Sequence, residues 1–171
     1  MAAHAFETLW QAGQAHGMML CGMHMMDSCR IEKGFRHFGH DITCEDHVLE
    51  AGLGFAVKTD KPAFIGRAAV LEKRQTGLET RLVQFKLTDP QPMLYHNEPI
   101  LRDGEIVGYL SSGAYGHHLG AAIGMGYVPC KGESVAQVLA SRYEIDVAGI
   151  KVGAEASLRP MYDPTSQRVK A

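Results

Sequence analysis

Ile100-Leu101-Arg102-Asp103-Gly104-Glu105-Ile106-Val107 sets two apolar runs on either side of an Asp-Gly pair. That pair tolerates the positive φ angles of a two-residue hairpin turn, so the stretch predicts two antiparallel strands joined tightly. Working outward, further strands fall at about 105–114 and 120–128, flanking Gly116-His117-His118. Upstream, Val83, Phe85 and Leu87 alternate with polar residues, the period of a half-buried strand, and Asp89-Pro90-Gln91-Pro92 breaks the chain after it. Downstream, Tyr143 to Val147 and Glu155 to Leu158 complete a run of short strands spaced as in a small barrel.

Before residue 80 the periodicity is helical. Phe6, Leu9, Trp10 and Gly13 recur at i, i+3, i+4 and i+7, which predicts an amphipathic helix over about 3–16 with Gly17 at its end. Gly22 to Lys33 reads as a second helix stopped by Gly34, with Asp27 and Arg30 side by side for an ion pair. Residues 35–43 read as a loop and Glu45 to Leu49 as a helical turn. Asp60-Lys61-Pro62 opens a third helix that carries Phe64, Ala68 and Leu71 to about Arg74, and Thr76-Gly77 ends it. The expected fold class is α+β, divided near residue 79: helical over 1–79, antiparallel β over 80–171.

A chain of 171 residues supports one hydrophobic core, or a small domain with an appendage. Its apolar and charged shares, 46% and 21%, exclude wholesale disorder. A net charge of −2 argues against nucleic acid or an acidic membrane as partner. No apolar run reaches the length of a membrane span, and the first six residues lack the basic-then-apolar order of a signal peptide. Cys21, Cys29, Cys44 and Cys130 form no Cys-x-x-Cys pair and are expected as reduced thiols in a cytoplasmic setting.

Single motifs carry little chemistry. The nine histidines include His37-x-x-His40 and His117-His118, but no spacing supplies the three or four ligands of a zinc site, so no metal is expected. Gly124-Met125-Gly126 runs into Tyr127-Val128-Pro129 rather than a helix, which argues for glycines that let strands approach closely and against a dinucleotide loop. Cys29 reads as a small core residue. Met18, Met19, Met23, Met25 and Met26 crowd the second helix and its entry. Adaptable packing is the first explanation for them, and an apolar wall for a flat ligand is the second.

Longer blocks are more specific. Asp27-Ser28-Cys29-Arg30-Ile31-Glu32-Lys33-Gly34, followed by Phe38-Gly39-His40-Asp41-Ile42, resembles a block of the glycine-cleavage aminomethyltransferase (T-protein) family. Leu49 to Lys58 and Phe64 to Arg67 are similar to the family's linker helices. Gly108 to Tyr115 and Ile123 to Val128 are similar to its C-terminal barrel. Glu32 to His37 and Pro160 to Pro164 look like the folate half of dimethylglycine and sarcosine dehydrogenases. The resemblance covers essentially the whole chain. It implies the C-terminal part of that fold: a helical remnant of the folate-binding domain over 1–79, then a small antiparallel β-barrel domain over 80–171.

The resemblance also implies tetrahydrofolate as cofactor and a small methylated amine or amino acid as one-carbon donor. A folate nitrogen attacks an iminium or aminomethyl carbon, and a nearby carboxylate helps with charge and protons. In the family that carboxylate, and the Glu that reads the pteridine ring, belong to motifs N-terminal to residue 1. No catalytic residue is therefore expected in this chain, which alone would be half of a site. A homodimer, or a complex with the missing N-terminal half, is the expected assembly, because apolar faces cut open find another chain. The family's Arg before the Asp27–Gly34 block is Met26 here, and a thioether cannot donate to a folate carboxylate as Arg does. The dehydrogenase branch also lacks that Arg. Met26, Phe35 and Tyr162 are the expected cofactor-binding wall, while Arg30 and Glu32 are expected to organise structure through ion pairs. A flavin belongs to the upstream part of the dehydrogenases, and no flavin site is expected here. The alternative reading is a truncated, non-catalytic structural or interaction module.

Overall fold

The structure, a computed structural model, describes residues 1–170. Its centre is a closed barrel of β1 (Thr80–Leu87), β2 (Pro99–Arg102), β3 (Glu105–Gly116), β4 (Ala121–Pro129), β5 (Tyr143–Val147) and β6 (Ile150–Ser157). The strands follow the order β1-β4-β3-β2-β5-β6 and every neighbouring pair is antiparallel. Closure removes the unpaired edges that an open sheet would expose.

The Asp-Gly turn forms as expected: Asp103 and Gly104 both take positive φ, 53° and 94°, and β2 and β3 pair across them. A second such turn joins β5 to β6, at Ala148 and Gly149 with φ of 54° and 88°. As a result β6 starts at Ile150, earlier than the expected Glu155.

Inside the barrel, Val83, Phe85, Leu87, Ile100, Leu110, Val128 and Ile145 are all at most 1% exposed. The opposite face of β1 and β4 is covered as well, since Leu82, Ile123 and Met125 pack with Ile31. Burial on both faces is why Ala121 to Val128 reads as an unbroken apolar run rather than an alternating one. Within it, a Cβ on Gly126 would stand 2.6 Å from the Tyr109 carbonyl oxygen and 2.5 Å from Ile100 Cδ1. The glycines there permit close strand approach, as the β context predicts.

Five α-helices accompany the barrel among the described residues, and the second of them is the one packed across its strands. α1 (Ala2–Gln14) buries no residue. α2 (Met23–Glu32) lies across β3 and β4. Gly34 ends it at φ 64°, with Gly34 N–H donating to Ile31 and Phe35 N–H to Arg30, the paired bonds of a Schellman cap.

α3 (Arg67–Thr76) begins five residues after Pro62, not at it, because Gly66 sits in the left-handed region at φ 87° and interrupts any helix running through Phe64. The stretch Glu45 to Leu49 holds bends and turns instead of a helical turn. α4 (Val135–Ala140) has no counterpart in the expectations, although Ser134 and Gln137 form a complete capping box at its start. α5 (Gln167–Lys170) is a last short turn of helix. Among the described residues no helix is long and apolar enough to cross a membrane.

Candidate functional site

The face that α2 turns to the barrel is mostly polar. Its buried positions are Ser28, Ile31 and Glu32, spaced i, i+3, i+4, and only Ile31 is apolar. Docking therefore relies on hydrogen bonds. Ser28 Oγ donates to the Tyr115 carbonyl at 2.5 Å. Glu32, 1% exposed, accepts from the backbone N–H of His118 and Leu119 at 2.7 and 3.1 Å, and its other oxygen meets His118 Nδ1 at 3.0 Å. Below the helix, Gln84 Nε2 donates to the Ile31 carbonyl at 2.6 Å while its Oε1 accepts from Met161 N–H at 2.9 Å. One amide thus ties α2, β1 and the C-terminal segment together.

Arg30 anchors the same helix through a buried network. Its Nε donates to Asp27 at 2.8 Å, the predicted i,i+3 pair; its Nη1 donates to Asp41 Oδ2 at 2.5 Å and its Nη2 to Ser112 Oγ at 2.7 Å. Asp41 is wholly buried and also accepts from His37 N–H at 2.8 Å and Ser111 Oγ at 2.6 Å.

Ser111 and Ser112 are consecutive in a strand, where side chains ordinarily point to opposite faces. A register shift between Leu110 and Ser112 against β4 allows both hydroxyls to reach the one ion pair. Re-aiming a side chain is what a bulge does. Tyr127 closes the network by donating to the Asp41 carbonyl at 3.0 Å. Burial, with the charges of Asp46 and Asp41, pushes the Tyr127 phenol well above its ordinary range, so it stays a neutral donor. Burial also lowers Arg36 from its ordinary value, partly offset by the charge of Asp41. Arg36 donates to the Ala51 and Gly34 carbonyls beside this cluster.

Between α2, β3 and the strap 93–96 lies a cavity of about 630 Å³. The strap passes close to the sheet because Gly113 has no side chain; a Cβ there would stand 2.7 Å from Tyr95 N. Met25, Tyr95 and Tyr115 provide an apolar and aromatic wall, backed by Leu94 in the barrel core. Of the lining carboxylates, Glu32 has both oxygens engaged, and Asp27 holds Arg30 through Oδ1. Arg30 is the sole lining guanidinium, and it is already committed to two carboxylates. Every other lining group able to carry positive charge is an imidazole: His24, His37, His40, His96, His117 and His118. The arrangement suits a flat ring with a polar edge more than a strongly anionic ligand.

Met26, Phe35 and Tyr162 are not brought together on this wall. Met26 is 55% exposed on α2 and Phe35 is 59% exposed past its cap. Tyr162 stacks on the His118 ring with centroids 4.3 Å apart. Each adjoins a lining residue: Met26 in sequence between Met25 and Asp27, Phe35 by its bond to Arg30, Tyr162 through His118. Arg30 forms ion pairs with Asp27 and Asp41, while Glu32 is engaged by His118 and two backbone N–H groups. Cys29 is exposed, not a core residue, with its thiol 3.4 Å from the Met25 sulfur. The methionines around α2 are also exposed, from 42% at Met18 to 80% at Met19 and Met23, so they do not pack a core within this chain. Asp41, Ser111 and Ser112 escaped sequence reasoning as a unit, because about 70 residues separate the Asp from the serines and only the bulge joins them. No cluster of three or more metal-ligating side chains occurs among the described residues.

Comparison with known proteins is consistent across the chain. Residues 80–163 match the family described as the glycine cleavage T-protein C-terminal barrel domain, and residues 1–61 match the GCVT N-terminal domain. The chain is 40% identical over 171 residues to a 4-methylaminobutanoate oxidase (formaldehyde-forming) of Paenarthrobacter nicotinovorans, covering 99% of this chain and 20% of that protein. It is 37% identical over 169 residues to human mitochondrial sarcosine dehydrogenase, covering 96% and 18%. It therefore spans about a fifth of the length of these two relatives. Among solved structures, the glycine cleavage system aminomethyltransferase T of Bartonella henselae superposes with a TM-score of 0.69 at 28% identity, over 81% of this chain and 38% of that one.

Proposed function

Because the chain belongs to the glycine cleavage T-protein family, we propose that it is the C-terminal portion of a tetrahydrofolate-dependent one-carbon transfer protein of the aminomethyltransferase or dimethylglycine/sarcosine dehydrogenase kind. The observation that carries this reading is the cavity under α2. Its wall of Met25, Tyr95 and Tyr115 suits the flat face of a pterin, with polar groups at its rim. The fit is to the ring. For the tail carboxylates the cavity has no uncommitted guanidinium, so the lining imidazoles are the groups available to hold them.

When bound, tetrahydrofolate supplies the nitrogens that accept the one-carbon unit from a small methylated amine or amino acid. The chain's own residues orient and enclose it. The Arg30–Asp41–Ser111 network and the Glu32 bonds fix α2 on the barrel, which keeps Met25 and Tyr115 facing one space. The wall extends in this reading to Met26, Phe35 and Tyr162, each beside a lining residue. The two units of the reading are residues 1–79, from the folate-binding domain and its linker, and 80–171, the barrel domain. A cytoplasmic setting, expected from the cysteine spacing, belongs to the same reading.

Isothermal titration with tetrahydrofolate tests it, on this chain supplied with the N-terminal folate-domain region of an aminomethyltransferase relative. Saturable one-to-one binding is expected, and its absence in the reconstituted protein removes the proposal.

A second reading is favoured by α1. That helix buries nothing, and Phe6, Leu9, Met19, Leu20 and Met23 on or after it are each at least 50% exposed. Such a surface fits a docking module for another polypeptide or a second copy. Light scattering at micromolar concentration is expected to give more than the monomer mass; a strictly monomeric mass counts against it.

A further inference from the structure

Pairing off the charges around a second cavity leaves two guanidinium groups over. This cavity, about 670 Å³, lies where the end of α3, the start of β1 and the segment after β4 meet, and it shares no lining residue with the first. Its lining holds the cations Lys73, Arg74, Arg81 and Lys131 against the carboxylates Glu79 and Glu133. Lys73 is paired with Glu50 at 2.9 Å and Lys131 with Glu79 at 3.6 Å, while Glu133 is held by Arg102. Arg74 donates to the Thr59 hydroxyl at 2.8 Å and forms no ion pair among the described residues. Arg81 has neither an ion pair nor a side-chain hydrogen bond to a carboxylate among the described residues, and its Nε is buried with no partner at all.

Arg74 and Arg81 thus line the cavity as cations that no carboxylate among the described residues neutralises, and an anionic group entering it would meet both charges. The neighbouring Cys130 thiol does not neutralise Arg81. Burial raises that thiol above its ordinary value despite the Arg81 charge, so it stays protonated. Gly77 and Gly132 on the rim carry no side chain, and a Cβ at either would meet nothing within 4 Å, which leaves the entrance open.

We propose that this cavity binds the oxyanion group of a small ligand, a phosphate or a carboxylate, on Arg74 and Arg81. A guanidinium matches both groups because it presents parallel N–H donors to two oxygens at once. The site is separate from the folate reading and stands without it.

The test is isothermal titration of the full chain at low ionic strength with two probes in turn, inorganic phosphate and glutarate. At least one probe is expected to bind saturably, one per chain, and to weaken at least tenfold in Arg81→Gln and in Arg74→Gln. The tighter probe identifies the oxyanion as phosphate or carboxylate. Arg74 is exposed, so its variant keeps the fold and remains informative if Arg81→Gln does not. Two results overturn the proposal: no saturable binding of either probe, or binding that is unchanged in Arg74→Gln and falls instead in His96→Gln, which would place the anion in the first cavity.

Discussion

Replacing Asp41 with Ala should be among the most damaging single changes available outside the barrel interior. The carboxylate is wholly buried and accepts from Arg30, His37 N–H and Ser111, so its removal strands a guanidinium whose side chain is only 14% exposed. Breaking one partner of a buried, hydrogen-bonded ion pair costs about 3–5 kcal/mol. For a chain of this size that lowers the melting temperature by about 6–20 °C, at about 2–4 °C per kcal/mol.

Asp41→Asn keeps the shape and can still accept from Arg30 while its amide faces Ser111. It is expected to lose less, about 1–3 kcal/mol. The double variant Arg30→Met/Asp41→Leu removes both charges and should recover most of the loss, because burying an ion pair brings little net stability over apolar groups. Far-UV circular dichroism is the assay of choice, since Trp10 lies on α1, which buries nothing and would report poorly on the barrel. Two outcomes would refute the reasoning: Asp41→Ala within about 0.5 kcal/mol of the parent, the range of an ordinary surface change, or a double variant no more stable than Asp41→Ala.

Three further outcomes follow from single contacts. Gly126→Ala forces a Cβ to 2.6 Å from a backbone carbonyl of β3 and should destabilise by about 1–3 kcal/mol, whereas Gly22→Ala, with open space around it, should change stability by about 0.5 kcal/mol or less in urea denaturation. Ser134→Ala removes the α4 capping box and should cost about 1 kcal/mol, with faster amide exchange confined to residues 135–138 as the local sign. Burial alone would raise the Glu50 carboxyl, but its bonds to Lys73 and to the amides of Glu79 and Thr80 outweigh this and hold it below its ordinary 4.5. The stability it supplies is therefore full above pH 4.5 and lost as pH falls through the lower folded value. The melting-temperature gap between parent and Glu50→Gln should narrow below pH 4.5, and a gap constant from pH 7 to pH 3 would contradict it.

Legibility in the sequence followed the range of the forces. The turn at Asp103-Gly104 and the Gly34 stop are local, and both were readable because few residues accept those backbone angles. The turn at Ala148-Gly149 is the same geometry with a poorer signature, since Ala seldom takes φ of 54°, and the first half of β6 was lost with it. The Ser134-x-x-Gln137 box was present in the sequence and simply short, introducing a helix of 6 residues. Pro62 misled because a proline that suits a helix start also suits a turn, and Gly66 decided between them.

The site was readable only in pieces. Asp27 and Arg30 are helix neighbours and pair as spacing demands, but Asp41 meets Ser111 through a strand bulge that no local pattern announces. Hydrophobic periodicity was also a poor guide to α2, whose buried face carries Ser28 and Glu32.

The central claim, that the cavity under α2 receives the pterin ring, is tested most directly by the methionine methyl groups. Met25 and Met93 line that cavity, while Met125 is 2% exposed against the barrel. With 13C-methyl methionine in this chain and an unlabelled N-terminal folate-domain region supplied, tetrahydrofolate should shift the Met25 and Met93 resonances saturably and leave Met125 nearly still. Binding that moves neither Met25 nor Met93 would contradict the account.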